Sequence, residues 1–189
     1  PWTAAMYALG AAAISGLPPL NGFVSEWFVY VGLFDAAAGR GVAAGAAMPA
    51  VLMLATAGAL ALATFVKAGA VIFLGTPRTD AVTQARESGS LMRGAMLALT
   101  AGCAGLGLAP LFFWPVIARA VGAWNPAWQL AEPPVPLGTL SGVQVSLTIF
   151  FLGGGVWLWR NAQANGVRRG LTWDCGFASP MPRMQYTSA

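Results

Sequence analysis

"GLPPLNGFVSEWF", residues 16 to 28, places two prolines, two glycines, an asparagine and a glutamate in a stretch otherwise apolar from Trp2 to Ala38. As one straight helix those 37 residues would measure roughly 55 Å, against a hydrocarbon core of about 30 Å. Two full spans and a turn need more than about 40 residues. The economical solution is one crossing built from two half-helices around an extended break. Pro18 and Pro19 each lack an N–H, and Pro19 steers Pro18 away from helical backbone. Gly22 permits a turn, and Asn21 or Ser25 is positioned to cap the restarted half. Gly16, Pro18, Pro19, Asn21 and Gly22 are therefore the predicted backbone of the break.

The membrane premise follows from composition. Hydrophobic residues make up 57% of the 189 and charged residues 8%, where a soluble domain carries about 25% charged residues. Ten basic and six acidic side chains cannot cover the surface of a soluble globule of this size. The net charge of +4 does not indicate nucleic acid, because the basic residues gather at the ends of apolar runs and not on one polar element. Cys103 and Cys175 lie far apart and suggest neither a disulfide framework nor a metal site, and there is no histidine. No secretory signal is visible and the first residue is Pro1, so the chain reads as a piece, here a C-terminal fragment, of a longer polypeptide.

Four apolar blocks organise the chain: Trp2 to Ala38 with its break, Met48 to Gly75, about Met92 to Val121 with Pro110 and Pro115, and Gly138 to Trp159. If each crosses once, the fold is an all-α polytopic bundle of about four transmembrane crossings, the first discontinuous. Residues 1–159 then form the transmembrane region and 160–189 a tail. Arg78, Arg86 and Arg93 lie in the loop 76–93, and Arg160, Arg168, Arg169 and Arg183 in the tail, whereas the other two loops hold only Arg40 and Arg119. That asymmetry places the loop 76–93 and the tail on the cytoplasmic side of a multi-pass membrane protein. Trp114, Trp124, Trp128, Trp157 and Trp159 suit the two interfacial belts. Trp173, Phe177, Met181, Met184 and Tyr186 give residues 171–187 too apolar a character for a solvated linker, so the tail is expected to dock on a partner or on the membrane domain.

Open backbone at membrane depth survives only where protein or water satisfies it, and broken helices with such ends hold ions in transporters. Glu26 is predicted in about the first turn of the restarted half, where the helix dipole favours its charged form and the apolar medium its neutral form. A carboxyl pulled both ways suits a proton relay; the plainer alternative is a capping carboxylate near water. Lys67, the one lysine, lies inside the second block. It reads either as an ammonium facing the acid of the broken helix or as an anchor snorkelling toward the Arg-rich interface.

These residues carry a resemblance. "SGLPPLNGFVSEWF" resembles the second broken helix of the antiporter-like membrane subunits shared by respiratory complex I, Mrp-type cation/proton antiporters and membrane-bound hydrogenases. With "FVKAGAVIFLGTPR" and "TWDCGFASPMPRMQYTSA" added, the match looks like the branch of hydrogenase-4 component B and formate hydrogenlyase subunit 3. The resemblance implies a proton-translocating subunit of an inner-membrane redox complex, with Glu26 as the terminal group of the proton path and Lys67 as a basic residue in the next helix. It implies protons, or Na+, as cargo, and membrane lipid and other membrane and peripheral subunits as partners. The glutamate and lysine pair that completes the path in the family precedes this region. No phosphate loop, nucleophile constellation or cysteine cluster is present, so no cofactor or metal is expected here and redox chemistry belongs to partner subunits. Two other readings stand beside this one: a non-conducting structural anchor of the same complex, and a cation/proton antiporter subunit.

Overall fold

The computed structural model describes residues 2–75, 82, 84–128 and 132–166. The regular elements among them are all helices. Helix α1 (Trp2–Ile14) is followed after the break by α2 (Asn21–Ala38). Helix α3 (Val42–Gly69) runs on into a π-helical turn, Ala70–Leu74. Helices α4 (Ser90–Leu108) and α5 (Pro110–Trp124) meet at Ala109, a short 3-10 turn spans Pro126–Trp128, and α6 (Leu137–Asn165) closes the described chain.

Three of these elements, Val42–Leu74, Ser90–Leu108 and Leu137–Asn165, are long and apolar enough to cross a membrane. Their side chains point largely outward: Val42, Leu74 and Leu91 are among the most exposed. In water such a surface would drive aggregation; in a bilayer it faces acyl chains as apolar as itself, and what packs inside is small. The chain is an all-α polytopic membrane protein.

The first apolar block is discontinuous, as expected, and its break has a defined geometry. Helix α1 ends in a Schellman arrangement, with Leu17 N–H donating to the Ala12 carbonyl (3.1 Å) and Gly16 N–H to that of Ala13 (3.3 Å). Gly16 occupies the left-handed position this ending requires, φ 66°. A turn then closes from Leu20 N–H to the Leu17 carbonyl (3.2 Å) across a cis Pro18–Pro19 peptide. Gly22, on the first turn of α2, passes directly against the Ala13 carbonyl, where a Cβ has no room. Both halves of the broken helix lie against the same two neighbours, α3 and α4.

The expected caps of the restarted half are not there. Leu20 is the residue before α2 and makes no capping bond. Ser25 spends its hydroxyl on the Gly22 carbonyl (2.8 Å), and Asn21 Oδ1 is buried with no hydrogen-bond partner among the described residues. The helix N-terminus therefore opens into the break.

The third block also departs from expectation. Its apolar run is not one helix but two, because Ala109 leaves helical backbone (φ −133°, ψ 52°) and Pro110 starts afresh as the first residue of α5. Pro115, equally able to break a helix, stays inside α5. The two interruptions touch: Gly107, buried just before Ala109, carries the Pro19 carbonyl and the Leu20 backbone directly on its Cα.

Contacts between elements fix which ends lie together. The backbone N–H and the hydroxyl of Thr3 both donate to Glu87 Oε2 (3.3 and 2.7 Å), joining the start of α1 to the segment leading into α4. The Thr3 hydroxyl holds the exposed Glu87 carboxyl below its ordinary range, so this tie persists above that lowered value and is lost as pH falls through it. Near the start of α6, Trp114, Val135 and Leu137 form a buried cluster against Phe28 and Val31 of α2, with Phe28 and Trp114 stacked at 6.0 Å. Helix α6 extends to Asn165. The docking expected of residues 171–187 lies outside the described residues, as do Arg78, Arg168, Arg169 and Arg183.

Candidate functional site

Glu26 is the sixth residue of α2, one turn later than the sequence suggested, and no acid occupies the first turn. Its side chain nevertheless returns to the break, because Cα–Cβ bonds tilt toward a helix N-terminus. A Cβ built on Gly16 would lie 2.5 Å from both carboxyl oxygens. The Glu26 carboxyl thus rests against the bare Cα of the residue that ends α1.

Around it the break holds polar groups with nothing to bond. Ser15 Oγ and Asn21 Oδ1 are both buried and without a hydrogen-bond partner among the described residues. With the uncapped start of α2, they make a small polar region enclosed by apolar helices. Buried polar groups are almost always satisfied by protein or by ordered water. The break thus brings a carboxyl, a hydroxyl and an amide oxygen into one short segment of the chain.

Lys67 sits elsewhere. It is exposed on α3, not an ammonium enclosed within the bundle as one sequence reading had it. Its height is set by Tyr7, whose hydroxyl donates to the Phe65 carbonyl (3.1 Å) and whose ring packs on Phe65 and Phe73 at 6.4 and 5.3 Å. Nine residues separate Tyr7 from Gly16, which at 1.5 Å per residue puts Lys67 roughly 14 Å from the Glu26 level along α1. That displacement is toward the end of the bundle where Thr3 meets Glu87. The Lys67-bearing helix changes to π-helical winding three residues later, a local form common at functional positions.

Sequence reasoning missed two features. One is the second interruption at Ala109, for which Pro110 was the available signal. The other is Gln144 on α6, which is completely buried, with neither amide atom bonded among the described residues. A lone glutamine in an apolar run was the clue. Among the described residues no cluster of three or more His, Cys, Asp or Glu side chains is positioned to hold a metal.

Over 189 aligned residues the chain is 37% identical to hydrogenase-4 component B of Escherichia coli strain K12, an alignment covering 94% of this chain. It is 30% identical over 171 residues to formate hydrogenlyase subunit 3 of the same strain, covering 89% of this chain. The chain belongs to the hydrogenase-4 component B and formate hydrogenlyase subunit 3 family. It spans 28% and 27% of the length of those two relatives. An uncharacterized protein of Mycobacterium tuberculosis is 31% identical over 201 residues, covering 100% of this chain and 31% of its own. No family model matches the chain, and no solved structure does.

Proposed function

We propose that this chain is the part of a proton-translocating membrane subunit that carries the terminal acid of the proton path, Glu26, in a break held open to water. The observation that carries the reading is the Glu26 carboxyl lying against Gly16, in a break whose Ser15 Oγ and Asn21 Oδ1 are buried and unbonded among the described residues. An acid placed there is fixed by the backbone yet has room for a proton and for the water that delivers it. Component B of hydrogenase-4 and subunit 3 of formate hydrogenlyase are by name parts of larger assemblies. The proposed partners are accordingly the other membrane and peripheral subunits of a hydrogenase or complex I-like assembly, which carry out the redox chemistry. The test is proton uptake into inverted membrane vesicles containing the assembled complex, with and without an imposed sodium gradient. Uptake that follows electron transfer and ignores sodium supports the reading; strict dependence on the sodium gradient makes the subunit a cation/proton antiporter.

The position of the acid is testable without removing it. A Gly16→Ala side chain would occupy the space of the carboxyl and strain a backbone at φ 66°. Translocation per electron is expected to fall about tenfold to a hundredfold, as for a reacting group displaced by an ångström or so. An unchanged value would mean that the carboxyl has no fixed station at the break.

In this reading Lys67 serves the path between the break and the Thr3–Glu87 end. Lys67→Ala should impair translocation, and Lys67→Arg should restore it only in part, because an arginine does not release its proton. Full activity with arginine would make residue 67 a fixed charge or an interfacial anchor.

For orientation, the loop 76–93 and the residues from Arg160 onward are assigned to the cytoplasmic face, on the strength of seven arginines against two. The Thr3–Glu87 contact supports the alternation on which that count depends, since one crossing out and one back join the start of α1 to this loop. A cysteine at Gln84 should react with an impermeant thiol reagent only from inside, and one at Ala127 only from outside. Labelling of Gln84→Cys in intact cells would reverse the assignment.

A further inference from the structure

Gln144 is the most completely buried polar side chain described, at 0% exposure, and neither its amide nitrogen nor its amide oxygen has a hydrogen-bond partner among the described residues. Its helical neighbours do not serve it. The Ser141 hydroxyl donates to the Leu137 carbonyl (2.9 Å), and the Thr148 hydroxyl to the Gln144 carbonyl (2.8 Å). Leu137 and Leu140, seven and four positions earlier on the same face, pack in the cluster formed with Trp114, Phe28 and Val31. Trp114 Nε1 in that cluster is likewise buried and unbonded. As α6 runs back across the layer, Gln144 falls one turn beyond Leu140, toward the level of the break.

The chemistry of the ligand follows from the groups offered. An amide presents one donor end and one acceptor end, an indole N–H a donor, and none of them carries charge. A metal ion or an anion would need more than that. Water, which both donates and accepts and requires two to four polar partners, fits. We propose that Gln144 holds ordered internal water, with Trp114 Nε1 as a further donor. This water continues the hydrated path from Glu26 toward the end of the bundle where Trp114 and Val135 lie. The second half of the proposal rests on the proton-path reading above. In it, a water hydrogen-bonded to the amide accepts a proton from one neighbour and passes another onward. The amide orients that water and is never itself protonated, so Gln144 is a positioning residue.

The experiment uses the full-length subunit in its assembled complex and has two readouts. The first is a density map resolving ordered water: water within hydrogen-bond distance of both amide atoms is expected. Protein groups bonded to both atoms, or a dry apolar surround, would overturn the site. The second is proton uptake per electron in vesicles for Gln144→Met, which keeps the length of the side chain and removes its polarity. A loss of about tenfold is expected, the barrier increase of one missing hydrogen bond. Trp114→Phe should give a smaller loss and serves if the methionine variant does not assemble. Unchanged uptake in both variants, where Glu26→Gln has none, places the water off the path. Unchanged uptake in Glu26→Gln itself would refute the proton path, leaving the water site to be judged by the map alone.

Discussion

Glu26→Gln is expected to abolish proton translocation while the subunit still assembles with its partners. Glutamine keeps the size of the side chain and most of its hydrogen bonding, so it fits against Gly16 as the acid does. It cannot take up or release a proton, and no second acid lies in the break, since the first turn of α2 holds none. Were Glu26 only a stabilising charge near a helix start, the change would cost about 0.5–1 kcal/mol of local stability and little transport. The two outcomes differ by orders of magnitude in rate. Uptake into inverted vesicles, normalised to complex content and to the redox rate, separates them. Glu26→Asp keeps the acid but is one methylene shorter, so it should retain part of the rate with a shifted pH optimum. Normal uptake by the glutamine variant would remove Glu26 from the path.

Gly107→Ala should deplete the assembled subunit, although alanine is by intrinsic preference better than glycine in a helix by about 1 kcal/mol. The new methyl would meet the Pro19 carbonyl, and the Leu20 Cα at 2.7 Å. Both are backbone atoms of the break and cannot swing aside as a side chain would. Overpacking of this kind costs about 1–3 kcal/mol or more, and here it also pries apart the surfaces that cover open peptide groups. Gly105→Ala is the control, because its Cβ would find only Phe113 Cζ at 4.0 Å, an ordinary contact. Quantifying subunit content in membranes should show several-fold loss for residue 107 and none for residue 105. Equal content in the two variants would mean that the breaks are not pressed together in the native bundle.

The first break was legible because its cause is local. Two adjacent prolines and a glycine forbid continuous helix whatever surrounds them, and the length of the apolar run left room for only one crossing. Glu26 was legible as an acid within an apolar span, an arrangement retained for few reasons other than function. The turn it occupies was misjudged because the restart was placed by polar residues able to cap. In the folded chain Asn21 is already helical and Leu20 precedes it uncapped. The second break was hidden by ambiguity: Pro110 and Pro115 are equally capable of ending a helix, and only packing against Pro19 and Leu20 selects Ala109. Gln144 and Lys67 show the same limit from opposite sides. Burial depends on which neighbours arrive, and an isolated run reveals neither that the glutamine is enclosed nor that the lysine faces outward.

The seat of the Pro19 carbonyl on Gly107 also has a bearing on biogenesis. The peptide groups freed by the first break emerge from the ribosome roughly 90 residues before the glycine that covers them. Between those moments the first crossing cannot rest among lipid tails without exposing bare amides to hydrocarbon. It has to stay sheltered, by the insertion machinery or by earlier helices, until α4 arrives. The order in which the crossings leave that shelter is thus written into one contact between a proline and a glycine.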